Sequence, residues 1–171
     1  MKPNILLWQF LGFVFTGLSG TLLHFLYDWT NQSLLIAPFS ATNESTWEHM
    51  KLLYFPWLIF ALIQNRYFKD FENFWCVKLF GVLTGLILIP VLFYTMNGVF
   101  GKTPDWINIS IFFISAAAGF IVESRMFRKD NLQCKWSPVA FAVICFIGLL
   151  FILFTFAPPK IPLFQDPLIE K

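Results

Sequence analysis

Residues 73–96 read NFWCVKLFGVLTGLILIPVLFYTM, and this stretch decides the fold class. A helix that crosses the hydrocarbon of a bilayer needs about 20 residues with few charges, and the one charged residue here is Lys78. Two comparable stretches precede it and two follow it. The sequence therefore predicts an all-α, polytopic integral membrane bundle of five transmembrane helices, at residues 5–27, 46–64, 73–96, 106–123 and 138–157.

The composition supports a membrane protein. The chain is 57% hydrophobic and 13% charged, whereas soluble proteins are about half apolar and a quarter charged. Its 171 residues are predicted to form a single membrane domain, 1–171, that ends in an extended tail at 158–171. The net charge of +2 gives no reason to expect a nucleic-acid partner, so the lipid bilayer is the predicted partner.

The positive charges predict the orientation, because Lys and Arg in short connections stay on the cytoplasmic side. The amino-terminal side of the five-helix arrangement carries more of them than the other side. This predicts a cytoplasmic amino terminus and an outside carboxyl terminus. Lys51 and Lys78 are left out of the count, since each lies in a first helical turn and can snorkel. The residues counted are Lys2, Arg66, Lys69, Arg125, Arg128, Lys129 and Lys135 on the first side, and Lys102, Lys160 and Lys171 on the second.

Three further patterns have structural interpretations. Gly81-x-x-x-Gly85 and Ser115-x-x-x-Gly119 place small residues where helices approach closely in a membrane. The three cysteines are expected to be buried apolar residues or reduced thiols rather than a disulfide framework. The run 123–125, Glu-Ser-Arg, is expected in a solvated loop that faces anionic lipid.

A polar stretch, NESTWEHMK at 43–51, leads directly into the second helix. Such groups are costly to desolvate in a membrane protein and need partners. Ser45 and Glu48 match a capping box, in which each side chain bonds the other's backbone N–H. Lys51 can pair with Glu48 three residues earlier. Capping leaves Glu44 and His49 without a structural explanation.

The first predicted helix carries Gly12, Thr16, Gly20, His24 and Asp28 at intervals of four, which places them on one face. The small residues favour close packing, and His24 is expected to point toward the bundle. Asp28 is expected at a solvated helix end. Because consecutive spans are antiparallel, both histidines of the chain map to the same side of the membrane.

The motif Asn43-Glu44-Ser45-x-Trp47-Glu48-His49-x-Lys51, with the tail residues Phe164 and Asp166, resembles a family of small prokaryotic membrane proteins classed as a domain of unknown function. The resemblance covers most of the chain. It implies a multi-pass protein of a prokaryotic inner membrane, and it implies no mechanism.

We consider four functions for this polar region. The leading one is a small-ligand or metal site, with His24, His49 and Glu44 as ligands of a divalent metal such as zinc. The second is a metal-dependent hydrolase of a lipid or peptide, in which Glu44 and Glu48 are catalytic. The third is a proton, ion or solute pathway formed by an oligomer. The fourth is a structural network or a surface for a membrane protein partner. The candidate ligand-binding residues are Asn43, Ser45, Lys51, Asp28 and Asp166.

Overall fold

The chain forms a helical bundle in the computed structural model, which describes residues 3–101, 103–129 and 134–167. These residues form five α-helices and a short 3₁₀ helix, with no strand, so the predicted all-α class is confirmed. Lys2, Lys102 and residues 168–171 of the predicted tail lie outside the described residues. The helices are α1 (Ile5–Trp29), α2 (Thr46–Asn65), α3 (Phe74–Phe100), α4 (Asp105–Phe127) and α5 (Ser137–Phe156), and the 3₁₀ helix is Pro162–Phe164.

Helices α3 and α4 each extend four residues beyond the predicted carboxyl end. Helix α3 continues through Gly98 and is capped by Gly101, whose φ of 77° lies in the left-handed region that glycine adopts without strain. Helix α4 continues past Glu123 to Phe127. The Glu123 carboxylate is buried in the bundle and does not lie in a solvated loop.

Four helices, α1, α3, α4 and α5, are long and apolar enough to cross a membrane. Helix α2 is more polar, yet it is the most enclosed: 13 of its 20 residues are buried, against 4 of the 20 in α5. It packs against the other four helices. The bundle therefore surrounds its most polar helix with apolar ones, whose exposed side chains are compatible with contact to lipid.

The two small-residue motifs meet where α3 packs on α4. A Cβ atom added at Gly119 would lie 2.7 Å from the carbonyl oxygen of Gly81, and one added at Gly85 would lie 3.3 Å from that of Ser115. Small side chains let the two backbones approach closely here, as the motifs predict.

Two charged residues near the amino-terminal end of the bundle are fully enclosed, and we call them the Lys78–Glu123 pair. Both side chains have no exposed area, and Lys78 Nζ lies 2.5 Å from Glu123 Oε2. Trp57 Nε1 donates to Glu123 Oε1 over 2.8 Å. The expectations that Lys78 snorkels and that Glu123 lies in a solvated loop are therefore wrong. A buried charge is tolerated when it is paired and hydrogen-bonded, and this pairing joins α3 to α4 across 45 residues of sequence.

The expectation that the cysteines form no disulfide is also wrong for two of them. Cys76, in the first turn of α3, is joined to Cys134, which lies just before α5, with their Cα atoms 6.4 Å apart. The two positions are 58 residues apart in sequence, so the pairing depends on how α5 packs beside α3. Cys145 is free and exposed.

Candidate functional site

The crossing of α1 and α2 brings the two histidines together. The predicted face of α1 is buried at Gly12, Thr16 and Gly20. A Cβ atom at Gly20 would lie only 2.7 Å from the carbonyl oxygen of Leu52 on α2, so glycine permits the close approach. His24 lies one turn after Gly20 in α1, and His49 lies about one turn before Leu52 in the antiparallel α2. Their ring centroids are 5.4 Å apart.

Glu44, in the connection that precedes α2, places its carboxylate against both rings. Its Oε2 lies 3.4 Å from His49 Nε2, and its Oε1 lies 3.8 Å from His24 Nε2. One donor atom from each residue lies within 4.8 Å of the others, an arrangement that could hold a metal ion. We call these three residues the triad. Two imidazoles and a carboxylate suit zinc with an open coordination position, or ferrous iron.

The connection that carries Glu44 is held in place by the residues around it. Asp166 Oδ2 accepts from the Glu44 backbone N–H over 3.2 Å, which ties the tail to the triad. Asn43 Oδ1 accepts from the Ser45 N–H over 2.9 Å. Ser45 Oγ accepts from the Glu48 N–H over 3.4 Å and caps α2. Asn43, Ser45 and Asp166, predicted to bind a ligand, thus position the loop; their assignment as ligand-binding residues stays a prediction.

Glu48 does not complete the predicted capping box. Its Oε2 accepts from the Thr42 N–H over 2.8 Å and from the Thr42 hydroxyl over 3.0 Å, and it lies 2.6 Å from Lys51 Nζ. Lys51 is fully buried instead of snorkelling, and it donates over 2.9 Å to the Ala37 carbonyl and to Thr155 Oγ1 on α5. This Glu48–Lys51 network links α2 to the preceding connection and to α5. The predicted roles, catalysis for Glu48 and ligand binding for Lys51, therefore compete with a structural role for both residues.

The hydrogen bonds of His49 fix where its ring proton sits. Nδ1 lies 3.0 Å from the Ser45 carbonyl oxygen, which can only accept, so Nδ1 carries a hydrogen. Nε2 then faces Glu44 and presents a lone pair to a carboxylate whenever the ring is neutral. That contact is favourable only with a proton or a cation between the two atoms. When the proton is present on Nε2, the hydrogen bond that it donates lowers the pKa of the Glu44 carboxyl below its usual value.

A cavity of about 490 Å³ lies beside the triad, within the range of pockets that enclose a small ligand. Thr46, Asp105 and Asn108 add polar groups to its wall. Thr46 Oγ1 and His24 Nδ1 are buried and have no hydrogen-bond partner among the described residues. Sequence reasoning missed all three added residues. The signal that points to Asp105 is an acidic side chain in the first turn of α4, which begins at the same end of the bundle as the triad.

Asp28, the remaining predicted residue, lies exposed in the last turn of α1 and does not line this cavity. Its assignment as a ligand-binding residue also stays a prediction.

Comparison with known proteins identifies the chain by family. No curated protein and no solved structure matches it. A family model matches residues 2–171, nearly the whole chain. The chain therefore belongs to DUF6512, a family of unknown function.

Proposed function

We propose that this chain is a five-span membrane protein whose triad binds a divalent transition metal ion such as zinc at the outer membrane face. The observation that carries the proposal is the convergence of His24, Glu44 and His49 donor atoms within 4.8 Å. The three residues come from a helix, a loop and a second helix, so the convergence is a property of the tertiary fold.

The proposed orientation rests on helix geometry and charge. Helix α2 has 20 residues, which gives it a length of about 30 Å at a rise of 1.5 Å per residue, enough to cross the hydrocarbon. An enclosed span can be more polar than a lipid-facing one. The positive charges that follow α2 and α4 favour a cytoplasmic location for that end. The triad, at the opposite end, then faces outward.

The electrostatics of the triad favour a bound cation. His49 offers Nε2 toward Glu44 because its other ring nitrogen is held by a backbone carbonyl. Metal-binding histidines commonly donate their second ring N–H in this way, which orients the ring. The carboxylate, with its lowered pKa, is charged at neutral pH and provides the negative ligand.

The contacts favour binding over hydrolysis. A general base for a metal-bound water has to reach that water, and Glu48 is engaged by Thr42 and Lys51. Glu44 is the carboxylate of the metal site itself. We therefore assign the Glu48–Lys51 network to structure and the triad to metal binding.

Metal analysis of the purified full chain tests this proposal. We expect one zinc ion per chain and a dissociation constant that rises at least tenfold in His24→Ala, His49→Ala and Glu44→Gln. Asp28→Asn is the matched control, because it removes an acid at the same helix end but outside the triad. Affinity should fall on acidification, since histidine ligands must lose their proton to bind.

Two results contradict metal binding at the triad. One is a wild-type chain that holds no zinc, cobalt or iron in excess of an EDTA-treated sample. The other is an Asp28→Asn variant that loses as much affinity as Glu44→Gln.

A further inference from the structure

The cavity beside the triad is polar at one end and apolar over the rest of its wall. The apolar part is made mostly of side chains from α1, α3 and α4, together with Leu52 of α2 and Pro167 of the tail. A metal ion at the triad could therefore bind the polar group of a ligand, while the apolar part of the same ligand contacts the apolar wall of the cavity. The apolar wall residues used below are Phe25, Ile109, Phe112 and Phe113.

Three of these wall residues also lie on the outside of the bundle. The exposed fractions of Phe25, Ile109 and Phe113 are 46%, 58% and 37%. They lie on α1 and α4, which pack together, since a Cβ at Gly17 would lie 2.8 Å from the Phe113 ring. The cavity wall thus includes side chains exposed on α1 and α4, two helices apolar enough to cross a membrane.

The polar end selects for a negatively charged oxygen ligand once a metal is present. Without a metal, Glu44 and Asp105 give the cavity wall two carboxylates, which repel an anion. A divalent cation gives the triad a net charge of +1, that is, +2 from the ion and −1 from Glu44, and it brings the cavity wall with Asp105 to neutrality, so the repulsion of an anion is removed. The buried Thr46 hydroxyl, with no partner among the described residues, adds a donor to the same wall.

We infer that the cavity admits, from the bilayer through the opening between α1 and α4, a single-chain lipid whose carboxylate or phosphate headgroup binds the triad metal. This inference rests on the proposed metal site. It commits to a lipid because apolar residues form the rim, which a water-soluble anion would not require.

Native mass spectrometry of the delipidated full chain tests the inference. The probes are palmitate, palmitoyl lysophosphatidate and hexadecanol, each added with zinc and with EDTA. We expect one palmitate or one lysophosphatidate per chain with zinc, and at least tenfold weaker binding with EDTA. Hexadecanol has a comparable chain without the anionic headgroup, so zinc should not strengthen its binding. A preference between the two anions identifies the headgroup as carboxylate or phosphate.

A matched pair of variants tests the opening. Ile109 and Ile114 lie on α4 with similar exposed fractions, 58% and 56%, but only Ile109 lines the cavity. Ile109→Trp should weaken palmitate binding at least fivefold and leave zinc binding unchanged. Ile114→Trp should change neither.

The outcomes separate this inference from the proposed function. A chain that binds no zinc overturns both. If the chain binds zinc but binds palmitate and lysophosphatidate as tightly with EDTA as with zinc, only the lipid inference is overturned. An equal loss of palmitate binding in Ile109→Trp and Ile114→Trp also overturns only the lipid inference.

Discussion

Among the described residues a glutamate meets basic side chains at three sites, and two of them, the Lys78–Glu123 pair and the triad, differ most in how completely they are closed. The Lys78–Glu123 pair has no exposed area, and Trp57 holds the second carboxylate oxygen. The triad is partly open, with side-chain exposures of 28% for His24, 29% for His49 and 42% for Glu44. Along α4, about 22 Å separate Glu123 from the cavity wall at Asn108, taking 1.5 Å per residue. A closed pair leaves no space for a ligand, whereas the open triad borders a cavity.

The surroundings of the two sites reinforce this contrast. The Lys78 ammonium lies between 5.4 and 5.7 Å from the ring centroids of Trp57, Phe74 and Phe120, within the range of cation–π contacts. The triad instead has a buried ring nitrogen of His24 with no partner among the described residues. We therefore expect substitutions in the Lys78–Glu123 pair to affect stability, and those in the triad to affect binding.

The largest expected effect comes from breaking the closed pair. Glu123→Gln or Lys78→Met leaves a buried charge uncompensated, which costs about 3 to 5 kcal/mol of folding stability. Unfolding of the purified variants in detergent measures the loss. The double variant Lys78→Met/Glu123→Leu removes both charges and should recover most of it. A single variant as stable as the wild type would show that the pair does not stabilise the bundle.

A smaller loss is expected when the space beside Glu123 is filled. A Cβ atom at Gly81 would collide with the Glu123 side chain, so Gly81→Ala should cost about 1 to 3 kcal/mol, as overpacking does. Gly98→Ala is the control, because its Cβ would meet nothing within 4 Å and alanine favours the helix. Equal stability of the two variants would contradict the close contact of α3 and α4.

Substitution of Gly20 should affect the triad more selectively. Its added Cβ meets a backbone oxygen of α2, and a backbone cannot rotate away, so Gly20→Ala separates the helices that carry His24 and His49. We expect zinc affinity to fall by about 10- to 100-fold, comparable to the loss of a supporting residue at a metal site. Calorimetric titration of wild type, Gly20→Ala and Gly98→Ala measures this. Unchanged zinc affinity in Gly20→Ala would show that metal binding at the triad does not depend on the close approach of α1 and α2.

The smallest effect is expected for the metal-free stability of Glu44→Gln. The carboxylate is 42% exposed, so solvent screens its contact with His49 and the loss should be below about 1 kcal/mol at neutral pH. Because the folded-state pKa is lowered, this contribution is complete above the unfolded-state pKa and disappears as pH falls through the folded-state value. Unfolding curves of wild type and variant should therefore converge in acid. A gap that widens in acid would contradict this sign.

Sequence reasoning predicted the helical class and, through spacing and antiparallel order, the side of the bundle where the histidines meet. It failed at Lys78 and Glu123, because their pairing depends on the register between α3 and α4, which helix length does not specify. Glu48 illustrates the same limit. The capping-box pattern correctly predicted the cap by Ser45. The Glu48 carboxylate, however, accepts from Thr42, because the fold of the preceding connection places Thr42 beside it.

The joined cysteines can report which way the protein faces. Disulfides persist in oxidising compartments, whereas the cytosol keeps thiols reduced. Cys76 and Cys134 lie at the end of the bundle opposite the triad, the end for which we propose a cytoplasmic location. The proposed orientation therefore predicts two thiols in intact cells, each able to react with a permeant maleimide, and formation of the disulfide seen in the structure only after the cells are lysed in air. A pair already oxidised in cells would place the triad, and any metal it holds, on the cytoplasmic side.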